Sequence, residues 1–187
     1  MTGTVTTSTV TTLTARNADF AQHSFVPGAS MMPALRTILI GCVDPRVDPA
    51  HVLGLASGDA LVIRNVGGRF TPDAFQTMAT LRQIAEVEGG TPGPGWNLVL
   101  LQHTDCGITR LGGHPGLLAA TFGIDEADVP AKAVGDPRAA VAVDVTAIKD
   151  NPFLPADFVV SGLVYDVRTG LVETVVAPSL LRAGTAA

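Results

Sequence analysis

Hydrophobic positions in this chain follow two rhythms. Short unbroken apolar runs alternate with stretches in which apolar residues return every third or fourth position. Thr37-Ile38-Leu39-Ile40 is the first run, and it leads into Gly41-Cys42-Val43-Asp44-Pro45-Arg46. Ala60-Leu61-Val62-Ile63 and Asn97-Leu98-Val99-Leu100-Leu101-Gln102 repeat the pattern. Apolar runs of this length, bounded by Gly and Pro, predict strands buried on both faces, as in a parallel sheet. Between the last two, Thr71-Pro72-Asp73 offers a cap, a first-turn proline and a first-turn acid. Phe75, Met78, Leu81 and Ala85 then recur at helical spacing until Gly89-Gly90. Asp136-Pro137 predicts another helix, with Val141, Val145 and Ile148 on one face, and Asp48-Pro49 a short one. Residues 117–135 carry no clear pattern. Phe158 to Tyr165 and Leu171 to Val176, around a turn ending at Gly170, predict a closing hairpin. The alternation of strand and helix predicts an α/β domain. Its central sheet is mostly parallel and flanked by helices, with a C-terminal edge strand or hairpin.

The N-terminal stretch differs. Residues 1–12 are rich in Thr, carry no charged side chain and offer little to bury. They predict a flexible tail, or an arm on a partner subunit, because Val and Thr suit strands. Leu13 to Phe25 predicts a short helix with Leu13, Asn17 and Phe20 on related turns, ended by Pro27-Gly28. Residues 13–187 are then expected to form one domain, which the length of 187 residues allows. Met31 and Met32 are expected as gap-filling core residues, with an apolar pocket wall as the alternative.

Composition narrows the function. A hydrophobic content of 47% with 16% charged residues predicts a well-filled core and a buried oligomer face. The net charge of −5 leaves no basic footprint for nucleic acid. No apolar run approaches a membrane span, and the start lacks the basic and apolar regions of a signal peptide. The expected location is the cytoplasm, where the two cysteines are expected as metal ligands or free thiols. A Cys42–Cys106 disulfide is the minor alternative.

Both cysteines stand just past a predicted strand. Ligands of open α/β sheets sit beyond the carboxyl ends of the strands. Cys42, His103 and Cys106 make a Cys2His set, and three protein ligands with an open fourth position is the pattern of catalytic zinc. Sulfur with imidazole favours zinc over magnesium or calcium. Asp44 and Arg46 stand two residues apart on one side of a chain expected to be extended. There the arginine could clamp the carboxylate bidentately, with a plain salt bridge as the alternative. Arg64-Asn65-Val66-Gly67-Gly68 brings glycines to the same sheet edge for a close backbone approach. Without a following Lys-Ser/Thr it is not a P-loop. His51 and His114 are expected on the surface, and Trp96 as packing at a strand start.

Cys-x-Asp-x-Arg, followed after the next-but-one predicted strand by His-x-x-Cys-Gly, resembles the β-class carbonic anhydrases. The resemblance runs from about Leu13 to Val176. It takes in Arg64 to Gly68 and the late Gly162-Leu163-Val164-Tyr165-Asp166. It implies zinc held by Cys42, His103 and Cys106, with no further cofactor. It implies reversible hydration of carbon dioxide to bicarbonate by a zinc-bound hydroxide that Asp44 orients and Arg46 supports. Asp44 would be a fourth zinc ligand in a closed state. Val66 and Gly107 would contact the substrate, with Phe70 as a candidate aromatic wall. The N-terminal helix would embrace a partner in a homodimer or larger homo-oligomer. One departure stands out: many members carry a substrate-binding glutamine where this chain has Met31-Met32. The His-Thr-Asp-Cys-Gly and Arg-Asn-x-Gly-Gly forms also resemble a subgroup containing hydrolases of carbonyl sulfide and carbon disulfide. Such a hydrolase, or a non-catalytic zinc-binding homologue, is the alternative. Asp105 is either an acceptor beside the metal set or a turn residue.

Overall fold

A computed structural model describes residues 7–28, 30–90 and 93–182. The chain divides into two units, Met1–Ser30 and Met31–Ala187.

The first unit holds one helix, α1, Thr7–His23. It starts at Thr7 and not at Leu13, so residues 7–12 of the expected tail are helical; residues 1–6 lie outside the described residues. Two of its threonines turn their hydroxyls back onto helical carbonyls. Thr12 Oγ1 donates to the Ser8 carbonyl at 2.8 Å and Thr14 Oγ1 to the Thr11 carbonyl at 3.1 Å. Val10, Leu13 and Phe20 are exposed.

The second unit is built on five strands: β1 (Thr37–Cys42), β2 (Ala60–Asn65), β3 (Asn97–His103), β4 (Val159–Tyr165) and β5 (Val172–Leu180). They form one sheet in the order β2-β1-β3-β4-β5. The first four are mutually parallel, and β5 returns antiparallel on β4 as the predicted hairpin. β1 is flanked on both sides, with Gly41 level with Arg64 of β2 and Leu101 of β3. In this register β1 and β3 finish together at one edge. Ile40, Leu98 and Leu100 have no exposed surface, as expected of strands covered on both faces. β2 is only half-buried, with Val62 exposed, because it is an edge strand with a single neighbour.

The predicted caps form. Asp48 caps α2 (Pro49–Val52) by accepting the Ala50 N–H. Thr71 Oγ1 accepts the Ala74 N–H at the head of α3 (Pro72–Val87). The unpatterned stretch contains α4 (Pro115–Phe122) and a 3₁₀ turn, Glu126–Lys132. α5 (Pro137–Lys149) lays Val141, Val145 and Ile148 into the core against Ile38, Leu98, Val160 and Val164. Each such side chain, fully buried, is worth about 1.5–3 kcal/mol. Gly162 of β4 permits the approach of α5, since a Cβ there would lie 3.0 Å from Val141 Cγ2. A smaller cluster joins Cys42 and Cys106 to Val47, Ile108, Leu118 and Phe122. Met31 and Met32 are not core residues. Both are exposed on the irregular approach to β1 and line an apolar groove of about 470 Å³ with Phe75, Trp96 and Phe158.

Candidate metal centre

Cys42 ends β1 and His103 ends the adjacent β3, with Cys106 in the turn beyond. All three are buried, and their ligand atoms lie within 4.8 Å of one another. His103 Nδ1 contacts the Thr104 carbonyl at 2.9 Å. That carbonyl can only accept, so Nδ1 carries the proton and Nε2 keeps a lone pair. Nε2 is buried and has no hydrogen-bond partner among the described residues. Metal-ligating histidines are commonly held through their other ring nitrogen in this way.

Both cysteines are free, their sulfurs 3.7 Å apart, so the disulfide alternative is not realised. The Cys42 sulfur faces the N–H groups of Gly67 at 3.3 Å and Asp44 at 3.5 Å. The two thiols titrate as a unit. The contact with Cys106, aided by His103 and these N–H groups, lowers Cys42 to about 4 against its burial. The same contact, with burial, pushes Cys106 up, because its proton would have to leave beside an existing thiolate. A divalent cation between the sulfurs removes that conflict. Two thiolates and one orphaned imidazole nitrogen therefore fit zinc.

The loop after β2 supports this arrangement. Gly68 has a left-handed φ of 61°, and a Cβ there would meet the Leu101 carbonyl at 2.8 Å and the Cys42 nitrogen at 2.9 Å. Only glycine lets this loop lie against the ends of β1 and β3. Asn65 clasps the loop by accepting the Arg69 N–H and donating to the Arg69 carbonyl.

Asp44 and Arg46 meet, but not along an extended chain. The strand stops at Cys42, and Asp44 caps a 3₁₀ turn, Pro45–Val47. Asp44 Oδ1 accepts the Arg46 N–H at 2.9 Å and Nε at 3.0 Å; Oδ2 accepts Nη2 at 2.7 Å. Arg46 lowers the Asp44 carboxyl to about 2. Asp105 proves to be both acceptor and turn residue. It has φ 53°, and its carboxylate accepts Arg46 Nη1 at 2.9 Å. Arg46 holds its carboxyl below the ordinary range as well.

Val66 and Gly107 flank the cluster and are exposed. Val66 precedes the Gly67 N–H that faces Cys42, and Gly107 follows Cys106 directly. Phe70 is not a pocket wall: it packs onto the main core, edge-to-face with Phe75. His51 and His114 are exposed, and Trp96 is buried against Phe158.

Two supporting arginines went unpredicted. Arg64 donates to the Cys42 carbonyl, the Asp44 carbonyl and Asp48 Oδ2, at 2.9, 2.9 and 2.6 Å. Arg69 and Asp144 form an ion pair, each side chain 1% exposed. Asp144 also accepts from Gln102, which precedes His103, and from the Phe70 N–H. The signal for this pair was an acid on the apolar face of α5, between Val141 and Val145.

A family model for carbonic anhydrase matches residues 37–117. β-Carbonic anhydrase 1 of Mycobacterium tuberculosis is 29% identical over 163 residues, covering 86% of this chain and 94% of its own. The crystal structure of carbonic anhydrase from Streptococcus mutans is similar at a TM-score of 0.69 and 31% identity, over 92% of this chain and 99% of that one. Carbon disulfide hydrolase of an Acidianus species is 25% identical over 162 residues, covering 72% of this chain and 74% of its own.

Proposed function

Because this chain belongs to the β-carbonic anhydrase family, a family of carbon–oxygen lyases, we propose that it hydrates carbon dioxide reversibly to bicarbonate at zinc. Cys42, His103 and Cys106 would hold the metal. The observation that carries this function is the buried Cys2His cluster with an unpartnered Nε2. Structural zinc sites are normally closed by four strong ligands, whereas three suit a catalytic site. Zinc, when bound, acidifies a water molecule and so supplies a nucleophile near neutral pH.

The chain's own residues then direct the reaction. Asp44, kept ionised by Arg46, accepts the hydrogen bond of the nucleophile's remaining proton and turns its lone pair to the substrate carbon. The Gly67 N–H stabilises the Cys42 thiolate. Val66 offers an apolar face to carbon dioxide, and the Gly107 N–H a donor to a substrate oxygen. Asp44 could also leave Arg46 and join Cys42, His103 and Cys106 as a further donor to the metal, which would close the site. The catalytic domain is a single unit, and all its site residues lie in Met31–Ala187.

The active form is a homodimer or larger. Exposed Val10, Leu13 and Phe20 on α1, and the apolar groove lined by Met31, Met32 and Trp96, support burial against a second copy. Among the described residues, no helix is long and apolar enough to cross a membrane. The two free cysteines support a reducing, cytoplasmic setting.

A second substrate class has specific support. A relative named as a carbon disulfide hydrolase aligns over most of the chain. Such isosteres are weakly discriminated by pocket shape. Turnover of carbon dioxide, carbonyl sulfide and carbon disulfide by zinc-loaded protein decides between them. Carbon dioxide is expected to be fastest. Carbon disulfide turnover without hydration of carbon dioxide would reassign the substrate, and full zinc with no turnover would leave a non-catalytic homologue.

A further inference from the structure

Arg46 serves two carboxylates. Its side edge, Nε with Nη2, faces Asp44. Its end edge faces Asp105: Nη1 donates to Oδ2 at 2.9 Å and Nη2 to the backbone carbonyl at 3.0 Å. A guanidinium is a rigid plane of five N–H donors, so holding one edge fixes the direction of the other. Asp105 is built for this grip. Its φ of 53° is rare for a residue with a Cβ, and such conformations cluster where a site over-determines them. Arg110 Nη2 stands 3.7 Å from the other carboxylate oxygen, so the Asp105 side chain is steadied from a second side. Asp105 also lies between His103 at the end of β3 and Cys106 in the turn beyond, which links the segment carrying these two candidate metal donors to the turn carrying Asp44.

We propose that Asp105 is a positioning residue for the hydration reaction. It keeps the Nε–Nη2 edge of Arg46 aimed at Asp44, and it retains the guanidinium when Asp44 exchanges partners. The proposal rests on the carbonic anhydrase function and extends the site beyond the Asp44–Arg46 pair. The Arg46 side chain is 47% exposed, so without Asp105 it is free to swing toward solvent and release Asp44.

The test uses zinc-loaded, full-length protein with Asp105→Gly and Asp105→Asn, both of which suit a left-handed backbone and so fold alike. Asp105→Gly is expected to lower kcat about tenfold, with KM and zinc content little changed, the size of one lost charge-assisted hydrogen bond. Asp105→Asn keeps an acceptor at the same reach and is expected to recover most of that loss. In an Arg46→Ala background, Asp105→Gly is expected to cost nothing further, because both residues act through one guanidinium. Nitrogen-15 NMR of Arg46 Nε gives a readout independent of turnover: rotation about Nε–Cζ is expected to speed up in Asp105→Gly. Unchanged kcat in Asp105→Gly beside an active wild type overturns the proposal alone. So does a full additional loss in the Arg46→Ala background. A wild type that hydrates no carbon dioxide overturns the carbonic anhydrase function, and the proposal with it.

Discussion

The Arg69–Asp144 and Arg46–Asp44 pairs use the same chemistry, and solvent reaches only the second. Arg69 and Asp144 are each 1% exposed, and Asp144 ties the loop after β2 to β3 through Phe70 and Gln102. Arg46 is 47% and Asp44 15% exposed, in a turn beside the metal donors. The buried pair is held from several sides at once, Asp144 by Gln102 and the Phe70 N–H and Arg69 by the Lys132 carbonyl, so it can only hold. The half-exposed pair differs: Arg46 keeps a second carboxylate, Asp105, on its other edge, so under the proposed function Asp44 could leave for the metal while the arginine stays in place. The same chemistry becomes scaffold or machinery according to what else each partner can reach.

The comparison breaks most visibly at Arg46. Arg46→Ala is expected to lower carbon dioxide hydration by at least about a hundredfold, while zinc stays bound and Tm moves by no more than about 2 °C. Loss of zinc or a large fall in Tm would make the exposed pair a scaffold too. Asp144→Ala is expected to behave oppositely. It strands a buried guanidinium, and urea denaturation is expected to show a loss of about 3–5 kcal/mol. Replacing both partners, as in Arg69→Met with Asp144→Leu, is expected to recover most of that stability. The smallest effect is the response to salt. A double-mutant cycle for Arg46 and Asp44 is expected to give a stability coupling that fades between low and molar salt, and one for Arg69 and Asp144 a coupling that does not. Equal salt dependence would erase the distinction.

What could be read from the sequence was local. Thr71-Pro72-Asp73 and Asp48-Pro49 announce helix starts because a cap acts within its own turn. Cys42 and His103 sit at strand ends because the apolar runs stop there, and a parallel register then brings them together. Asp44 and Arg46 were recognisable as a pair, but not their turn, because Asp44 caps the 3₁₀ segment with the same oxygen that binds Arg46 Nε. The threonines of α1 concealed a helix, since helix propensity counts against β-branched residues whose hydroxyls here find helical carbonyls. Arg64, Asp105 and the Arg69–Asp144 pair depend on partners far along the chain. Asp105 was recognisable as a candidate acceptor and Arg64 as part of a motif, but not their partners, and Asp144 left a trace as an acid on an apolar helix face.

The central claim is that Cys42, His103 and Cys106 together hold a catalytic zinc. X-ray absorption at the zinc edge of purified protein tests it most directly. The expected result is about one zinc per chain, with two sulfurs and one imidazole nitrogen in its first coordination shell, and zinc lost in Cys42→Ser and in Cys106→Ser. A shell without sulfur, or full zinc retention in both variants, would contradict it.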